Sequence, residues 1–358
     1  MTWLVSVGVL GCLVLVHEWG HFVVARWVGV KVERFSIGFG PTLYTWRGAQ
    51  TEYALSLIPL GGYVRLAGEQ PTGRNAAGGE FVAKSARVRS AIIVAGPAVN
   101  YLVSAIALWA VLVLGYPELL PTVGKLLDDM PAKAAGLQIG DRVMAVDGQP
   151  IQTWDELTQL VRRKPQTSLT LDVERSGARL SVAVVPKEKE IVDPFGRHQR
   201  VGLIGVAPSG AFATYKLPPL EALGQTLRKQ REWAAQTFLS LWSLITGRIS
   251  MQESLTGPIG ILYMTSEAAR LGAGPLLYLI SLFSLSLAVC NLFPVPVLDG
   301  GHLLFIALEK LRWKPVSLRT QERATQISFA ALVALAIMVC IGDVHRFGLV
   351  DKVKNLWK

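Results

Sequence analysis

Four stretches of the chain are apolar at nearly every position: Trp3–Val28, Ser90–Gly115, Pro275–Leu298 and Thr325–Ile341. At 1.5 Å per helical residue, runs of this length match a hydrocarbon layer about 30 Å thick and predict four transmembrane helices. The first run has the position of a secretory signal. It lacks a basic leading segment and a small-residue cleavage site, and it carries His17 and Glu18 in its interior, so it is expected to be retained as a helix.

Between these runs the pattern changes. Val32 to Arg65 alternates apolar and polar residues, with short strands expected at Ser36–Pro41 and Tyr53–Pro59. Exposed strand edges cannot sit in lipid, which places this sheet at the interface or against protein. Pro71 to Gly79 is a polar, Gly-rich linker. Pro121 to Lys187 has the pattern of a soluble module, with strands expected at Val143–Val146, Leu169–Glu174 and Leu180–Val185 and a turn at Asp147-Gly148. Its helix opens on the capping box Thr153-x-x-Glu156 and ends near Arg163. The module resembles a PDZ domain of the bacterial type. Leu220 to Ile249 alternates apolar and charged residues at helical spacing and is expected to lie along the outer membrane surface.

The expected fold class is thus a polytopic α-helical membrane protein of about four transmembrane helices, with a membrane-associated β-sheet and one extracytoplasmic PDZ domain. In order, the boundaries are a first span at 1–28, a cytoplasmic β region and linker at 29–89, a second span at 90–115 and the PDZ domain at 116–190. An amphipathic helical region follows at 191–274, a third span at 275–308, a cytoplasmic loop at 309–324, a fourth span at 325–342 and a tail at 343–358.

Charge fixes the orientation. The formal net charge of +10 could suggest nucleic acid, but the basic residues cluster beside apolar runs and form no stripe with interleaved aromatics, so no nucleic-acid partner is expected. Gly29 to Arg89 holds Lys31, Arg34, Arg47, Arg65, Arg74, Lys84, Arg87 and Arg89 against four acidic residues, and Glu309 to Gln326 holds Lys310, Arg312, Lys314, Arg319 and Arg323. Both segments are expected in the cytoplasm, which leaves both termini and the PDZ domain outside. Composition agrees with a bilayer protein: 51% of the 358 residues are hydrophobic and 17% charged. Cys12, Cys290 and Cys340 all lie in apolar stretches without a Cys-x-x-Cys partner and suggest neither a disulfide framework nor a thiolate metal site.

The chemistry-bearing residues are few. His17-Glu18-Trp19-Gly20-His21 is a His-Glu-x-x-His motif; residues four apart on a helix sit about 40° apart around its axis, so both imidazoles can reach one ion. Glu18 falls beside them, where it can take a proton from water. Ionisable groups inside an apolar helix are costly and mark function by default. The metzincin continuation would need Gly at position 24 and His at 27; Val24 and Trp27 exclude it. A third ligand is better sought in Asn291-Leu292-Phe293-Pro294-Val295-Pro296-Val297-Leu298-Asp299-Gly300-Gly301, where two prolines break a helix in mid-membrane. Asp299 is expected on irregular backbone there, with Gly300 and Gly301 permitting tight turns.

These motifs together resemble the site-two protease family of intramembrane zinc metalloproteases, and within it the bacterial regulator of sigma-E protease group. The likeness extends to Gly61-Gly62-Tyr63-Val64, Gly96-Pro97-Ala98-Val99-Asn100 and Gly257-Pro258-Ile259-Gly260 and covers nearly the whole chain. It implies one zinc ion per chain on His17, His21 and Asp299, with Glu18 as the catalytic base. It implies that Asn291 holds the substrate backbone extended, with Asn100, Gly61 and Gly62 as further substrate-binding residues and the sheet edge taking substrate as an added strand. The implied substrates are single-span membrane proteins of the anti-sigma-factor or remnant-signal-peptide type, cut in the bacterial inner membrane. His302 is expected to support the site rather than ligate. The expected carboxylate-binding loop of the PDZ domain falls at Gly115 to Thr122, at the membrane exit, where a size filter fits better than a peptide clamp. Two rivals are a non-proteolytic PDZ scaffold with structural zinc and an ion-coupled transporter. The transporter should show paired broken helices and internal symmetry, which the sequence lacks.

Overall fold

The computed structural model describes residues 2–68, 79–192, 198–248, 256–314 and 316–346. The linker at 71–78 and the tail beyond 346 lie outside them. Helix α1 (Thr2–Trp27) runs unbroken, and its glycines are the places where other elements come close. A Cβ at Gly11 would meet the Pro59 carbonyl, and one at Gly20 would meet the backbone of Ala95 and Gly96. Strands β1 (Val32–Arg47) and β2 (Glu52–Leu66) follow, both longer than the sequence pattern predicts. They pair antiparallel with broken register: Phe35 lies opposite both Val64 and Tyr53, and Trp46 also faces Tyr53, so the two strands double back into a four-row sheet. Pro41 falls at the register break between Phe39 and Thr42, where its missing N–H removes no ladder bond. The hairpin exposes Leu43, Tyr44, Trp46, Leu57, Ile58 and Leu60, an apolar surface that suits lipid contact. Helix α2 (Ala86–Leu114) accommodates Pro97 in its interior.

The described residues of 112–218 form a compact unit of their own, which 246–248 joins. Its strands are β3 (Tyr116–Leu119), β4 (Val123–Leu126), β5 (Arg142–Val146), β6 (Gln149–Pro150), β7 (Leu169–Arg175), β8 (Ala178–Val184), β9 (Lys187–Val192), β10 (His198–Leu203), β11 (Val206–Pro208) and β12 (Phe212–Tyr215). Two helices, α3 (Pro131–Ala134) and α4 (Trp154–Arg162), complete it. The central sheet has the order β6-β5-β7-β8, and its buried face joins α4 through Val143, Val146, Leu157, Val161, Leu169, Leu171 and Val173. The capping box forms in both directions: Thr153 Oγ1 accepts from the Glu156 N–H, and the Glu156 carboxylate accepts from the Thr153 N–H. Asp147 and Gly148 both have positive φ, as the tight turn joining β5 to β6 requires. The expected carboxylate loop is otherwise used, because Tyr116–Leu119 is paired along its length with β12.

The remaining described residues belong with the first helices in the other unit. They form α5 (Pro219–Ile245), α6 (Pro258–Leu271), α7 (Ala273–Asn291), α8 (Asp299–Arg312) and α9 (Leu318–Arg346). Among the described residues, four helical segments are long and apolar enough to cross a membrane: Leu4–Trp27, Ala86–Leu114, Ala273–Asn291 and Leu318–Val344. The expected loop at 309–324 is largely helical, since α8 reaches Arg312 and α9 starts at Leu318. Arg319 and Arg323 thus sit on the first turns of α9, where long basic side chains can reach the headgroup level. Helix α9 also extends past the expected fourth span. Asp343, buried at 2% exposure, accepts from the Gly257 and Gly260 N–H groups and so satisfies the free donors that open α6.

Helix α5 does not simply float on a surface. Its Gln230 is fully buried and donates to Ser104 Oγ of α2 at 2.6 Å, while Ser104 Oγ donates to the Ser281 carbonyl of α7 at 2.6 Å. Ser281 Oγ returns a bond to the Ser104 carbonyl at 2.8 Å. In an apolar surround such hydrogen-bonded polar contacts hold helices in register.

Candidate metal centre

The site is assembled by α1, α2 and the start of α8. His17 and His21 stand one turn apart on α1, as their spacing dictates. Asp299 arrives from far along the chain, and here the geometry departs from the sequence expectation. Helix α7 stops at Asn291, residues 292–298 form a compact turn, and Asp299 is the first residue of α8 rather than part of irregular backbone. Gly300 and Gly301 are helical. Their role is contact: a Cβ on Gly300 would stand 2.2 Å from the Phe293 carbonyl, and one on Gly301 2.3 Å from that of Val295. Bare glycine lets the proline-broken turn lie directly on α8, which points the Asp299 side chain at α1.

Three lone-pair-bearing atoms converge. His17 Nε2 and His21 Nε2 are 3.1 Å apart, and Asp299 Oδ2 lies 3.0 Å from the first and 3.4 Å from the second. His21 Nδ1 donates to the Ile92 carbonyl at 2.8 Å, which assigns its proton to Nδ1 and leaves Nε2 as a bare acceptor. Asp299 Oδ2 is buried without a hydrogen-bond partner. The bare His21 Nε2 and the Asp299 carboxylate repel one another unless a cation stands between them. Ligand atoms about 2.0–2.1 Å from a tetrahedral zinc ion lie about 3.3 Å from each other, close to the separations found, and two imidazoles with a carboxylate are a zinc donor set. The residues present therefore fit zinc.

Glu18 sits beside the cluster, its Oε2 accepting the Val64 N–H of β2 at 3.0 Å. The Gly61–Val64 run is thereby coupled to the site. Gly61 and Gly62 themselves are buried: Val14 of α1 fills the space at Gly61, and the Ser36 carbonyl that at Gly62. Asn291 Nδ2 lies 3.5 Å from His17 Nε2. Asn100 has no exposed surface, and its amide nitrogen faces His17 Nδ1 at 3.4 Å. His302 lines the cavity that holds Glu18, His21 and Asp299, outside the three-ligand cluster. That cavity encloses about 720 Å³ and extends to Arg89, Glu309, Ser317 and Gln321. Arg89 Nη2 donates to Glu309 Oε1 at 2.6 Å, tying the start of α2 to the end of α8 along the cavity wall.

Sequence reasoning placed Gly96 in a run that carries the family resemblance but gave it no role at the site. A Cβ there would stand 2.3 Å from His21 Nε2 and 2.9 Å from His17 Cε1, so both imidazoles depend on its bare backbone. The signal was available in Gly96-Pro97, because glycine in the middle of an apolar helix is unfavourable unless something needs the space.

The comparisons with known proteins identify the family. The model of peptidase family M50 matches residues 5–335. A chain from Rhizobium meliloti (strain 1021), whose name marks it as a candidate zinc metalloprotease, is 36% identical, covering 94% of each chain. The regulator of sigma-E protease RseP of Escherichia coli (strain K12) is 32% identical over 94% of this chain and 97% of its own. The zinc metalloprotease RasP of Geobacillus kaustophilus is 29% identical over 95% and 97%. The chain belongs to peptidase family M50 and is a membrane zinc metalloprotease of the site-two type.

Proposed function

We propose that this chain hydrolyses peptide bonds within or near the transmembrane segments of single-span membrane proteins, of the anti-sigma-factor or remnant-signal-peptide type, as a step of regulated intramembrane proteolysis. The observation that carries it is the meeting of His17 Nε2, His21 Nε2 and Asp299 Oδ2 within about one tetrahedral edge of each other, beside Glu18 on an apolar helix. One zinc ion held by these three residues supplies Lewis-acid polarisation of the scissile carbonyl and of water. Glu18 takes the proton from the attacking water and returns it to the leaving nitrogen, with the Val64 N–H fixing its orientation meanwhile. Asn291, whose amide nitrogen lies 3.5 Å from His17 Nε2, holds the substrate backbone extended. A helical substrate hides its carbonyls in hydrogen bonds and must unwind, and the edge of the β1–β2 sheet offers it replacement partners. Gly61 and Gly62 serve that edge through the close fit of β2 against α1.

The protein resides in the bacterial inner membrane, with the β1–β2 sheet on the cytoplasmic side and the module of 116–190, a PDZ domain, outside. There it limits access for substrates with bulky outer domains. The test is Glu18→Gln in the full-length chain, assayed on a single-span reporter. Cleavage should fall by about 10²–10⁴-fold, the usual contribution of a general base, while zinc remains at one per chain. Undiminished cleavage, or loss of the metal together with activity, would remove Glu18 from the assigned role. A chelator should stop the wild-type reaction, and zinc should restore it.

A further inference from the structure

We infer that Asn100 is the positioning residue of His17, accepting the proton on Nδ1 so that Nε2 is presented to the metal. The inference rests on the zinc reading above. An imidazole that gives one nitrogen to a cation must carry its proton on the other, and that buried N–H needs an acceptor. For His21 the acceptor is the Ile92 carbonyl, 2.8 Å from Nδ1. For His17 the group facing Nδ1 is the Asn100 amide.

Two observations make that amide a built partner rather than a bystander. Asn100 has no exposed surface, and its Oδ1 is buried without a hydrogen-bond partner. As oriented, its nitrogen is toward the ring, so two groups that both carry hydrogens face each other at 3.4 Å once His17 holds its proton on Nδ1. The oxygen and nitrogen of a carboxamide exchange places by a half-turn of the terminal group. That single rotation supplies the orphaned oxygen with a donor and the imidazole with an acceptor. The residue is anchored for the task, because its carbonyl accepts Ser284 Oγ of α7 at 2.8 Å. Both imidazoles are then oriented by α2, His21 through its backbone and His17 through a side chain two turns further on. A substrate clamp would need exposed surface at Asn100, and it has none.

The experiment measures zinc affinity of the full-length chain in detergent by competition with a chromophoric chelator, alongside KM and kcat on a single-span peptide. Asn100→Leu should weaken zinc binding about 10–100-fold, the range seen when a ligand's hydrogen-bond partner is removed. Asn100→Asp, which keeps an acceptor at the same place, should hold zinc within a few-fold of wild type. Asn100→Ala repeats the test at smaller volume if the leucine variant does not fold. Wild-type zinc affinity in the leucine or alanine variant overturns the assignment. So does a raised KM with the metal held normally, which would mark a substrate contact. Wild-type protein without stoichiometric zinc would instead sink the metal-centre reading itself, and the two failures are told apart by which protein shows them.

Discussion

At the scale of single residues, the site depends on atoms that are absent as much as on those present. His17, Glu18 and His21 are legible from spacing alone, since a helix must put them on one side. Asp299 is legible as a candidate because charge in an apolar, proline-broken run demands a partner. Gly96 is legible only as a glycine out of place in an apolar helix, because its contribution is a missing methyl whose meaning depends on which helix lies opposite. It yields a prediction with opposing signs. Gly96→Ala should favour α2 by about 1 kcal/mol through helix propensity, yet the added methyl would stand 2.3 Å from His21 Nε2. Displacing a reacting group by about 1 Å costs about 100-fold in rate, so cleavage should drop by at least that factor with bound zinc reduced. Circular dichroism should show helix content unchanged. A fully active Gly96→Ala enzyme would mean that the imidazoles sit elsewhere when the site is loaded.

At the scale of elements, β5, β7, β8 and α4 of the 112–218 unit follow the alternation and the capping box closely, because local signals there agree with the packing, whereas β10, β11 and β12 occupy 198–215, where a helical region is expected from the sequence. The β1–β2 sheet and α8 were harder to read. The alternation predicts short strands ending at Pro41 and Pro59, but doubling back into four rows puts Pro41 at a register break, and pairing continues on either side. Helix α8 was obscured by Gly300-Gly301, which resembles a turn until the loop packed on it is known. The β5–β7 ladder carries a pH dependence of definite sign. Arg175, at the end of β7, donates to both carboxylate oxygens of Asp141 at 2.7 Å and also to the Gly136 carbonyl. Hydrogen bonding from Arg175 holds the Asp141 carboxyl below its ordinary range, against the opposing effect of burial. A carboxyl depressed in the folded state stabilises above its unfolded pKa of about 3.9 and loses that contribution as pH falls through the folded value. Hydrogen-exchange protection of β5 and β7 in the full-length protein should thus weaken on acidification below about pH 4. In Asp141→Asn it should be lower at neutral pH, by about 1–3 kcal/mol for the buried bonds lost, and less sensitive to acid. Equal acid sensitivity in both proteins would show that other carboxylates govern the transition.

At the scale of the whole molecule, hydrolysis inside lipid needs water at the metal and a route for it. The cavity that begins at Glu18, His21 and Asp299 ends among Arg89, Glu309, Ser317 and Gln321, groups at the start of α2, the end of α8 and the start of α9. These are the ends of the helices that carry Arg87, Arg89, Lys310, Arg312, Arg319 and Arg323, the basic clusters that the positive-inside rule assigns to the cytoplasm. If those clusters face the cytoplasm, as the positive-inside rule expects, water reaches the metal from that side. A single cysteine at Gln321, with Cys12, Cys290 and Cys340 replaced, should react with a membrane-impermeant maleimide in inside-out vesicles and stay unmodified in right-side-out ones. Arg89 and Glu309 line the same wall and pair with each other, so Glu309→Gln should loosen it and speed labelling while the sidedness stays the same. Labelling from the outer face alone would reverse the expected orientation of all four spans and put the mouth of the water route outside.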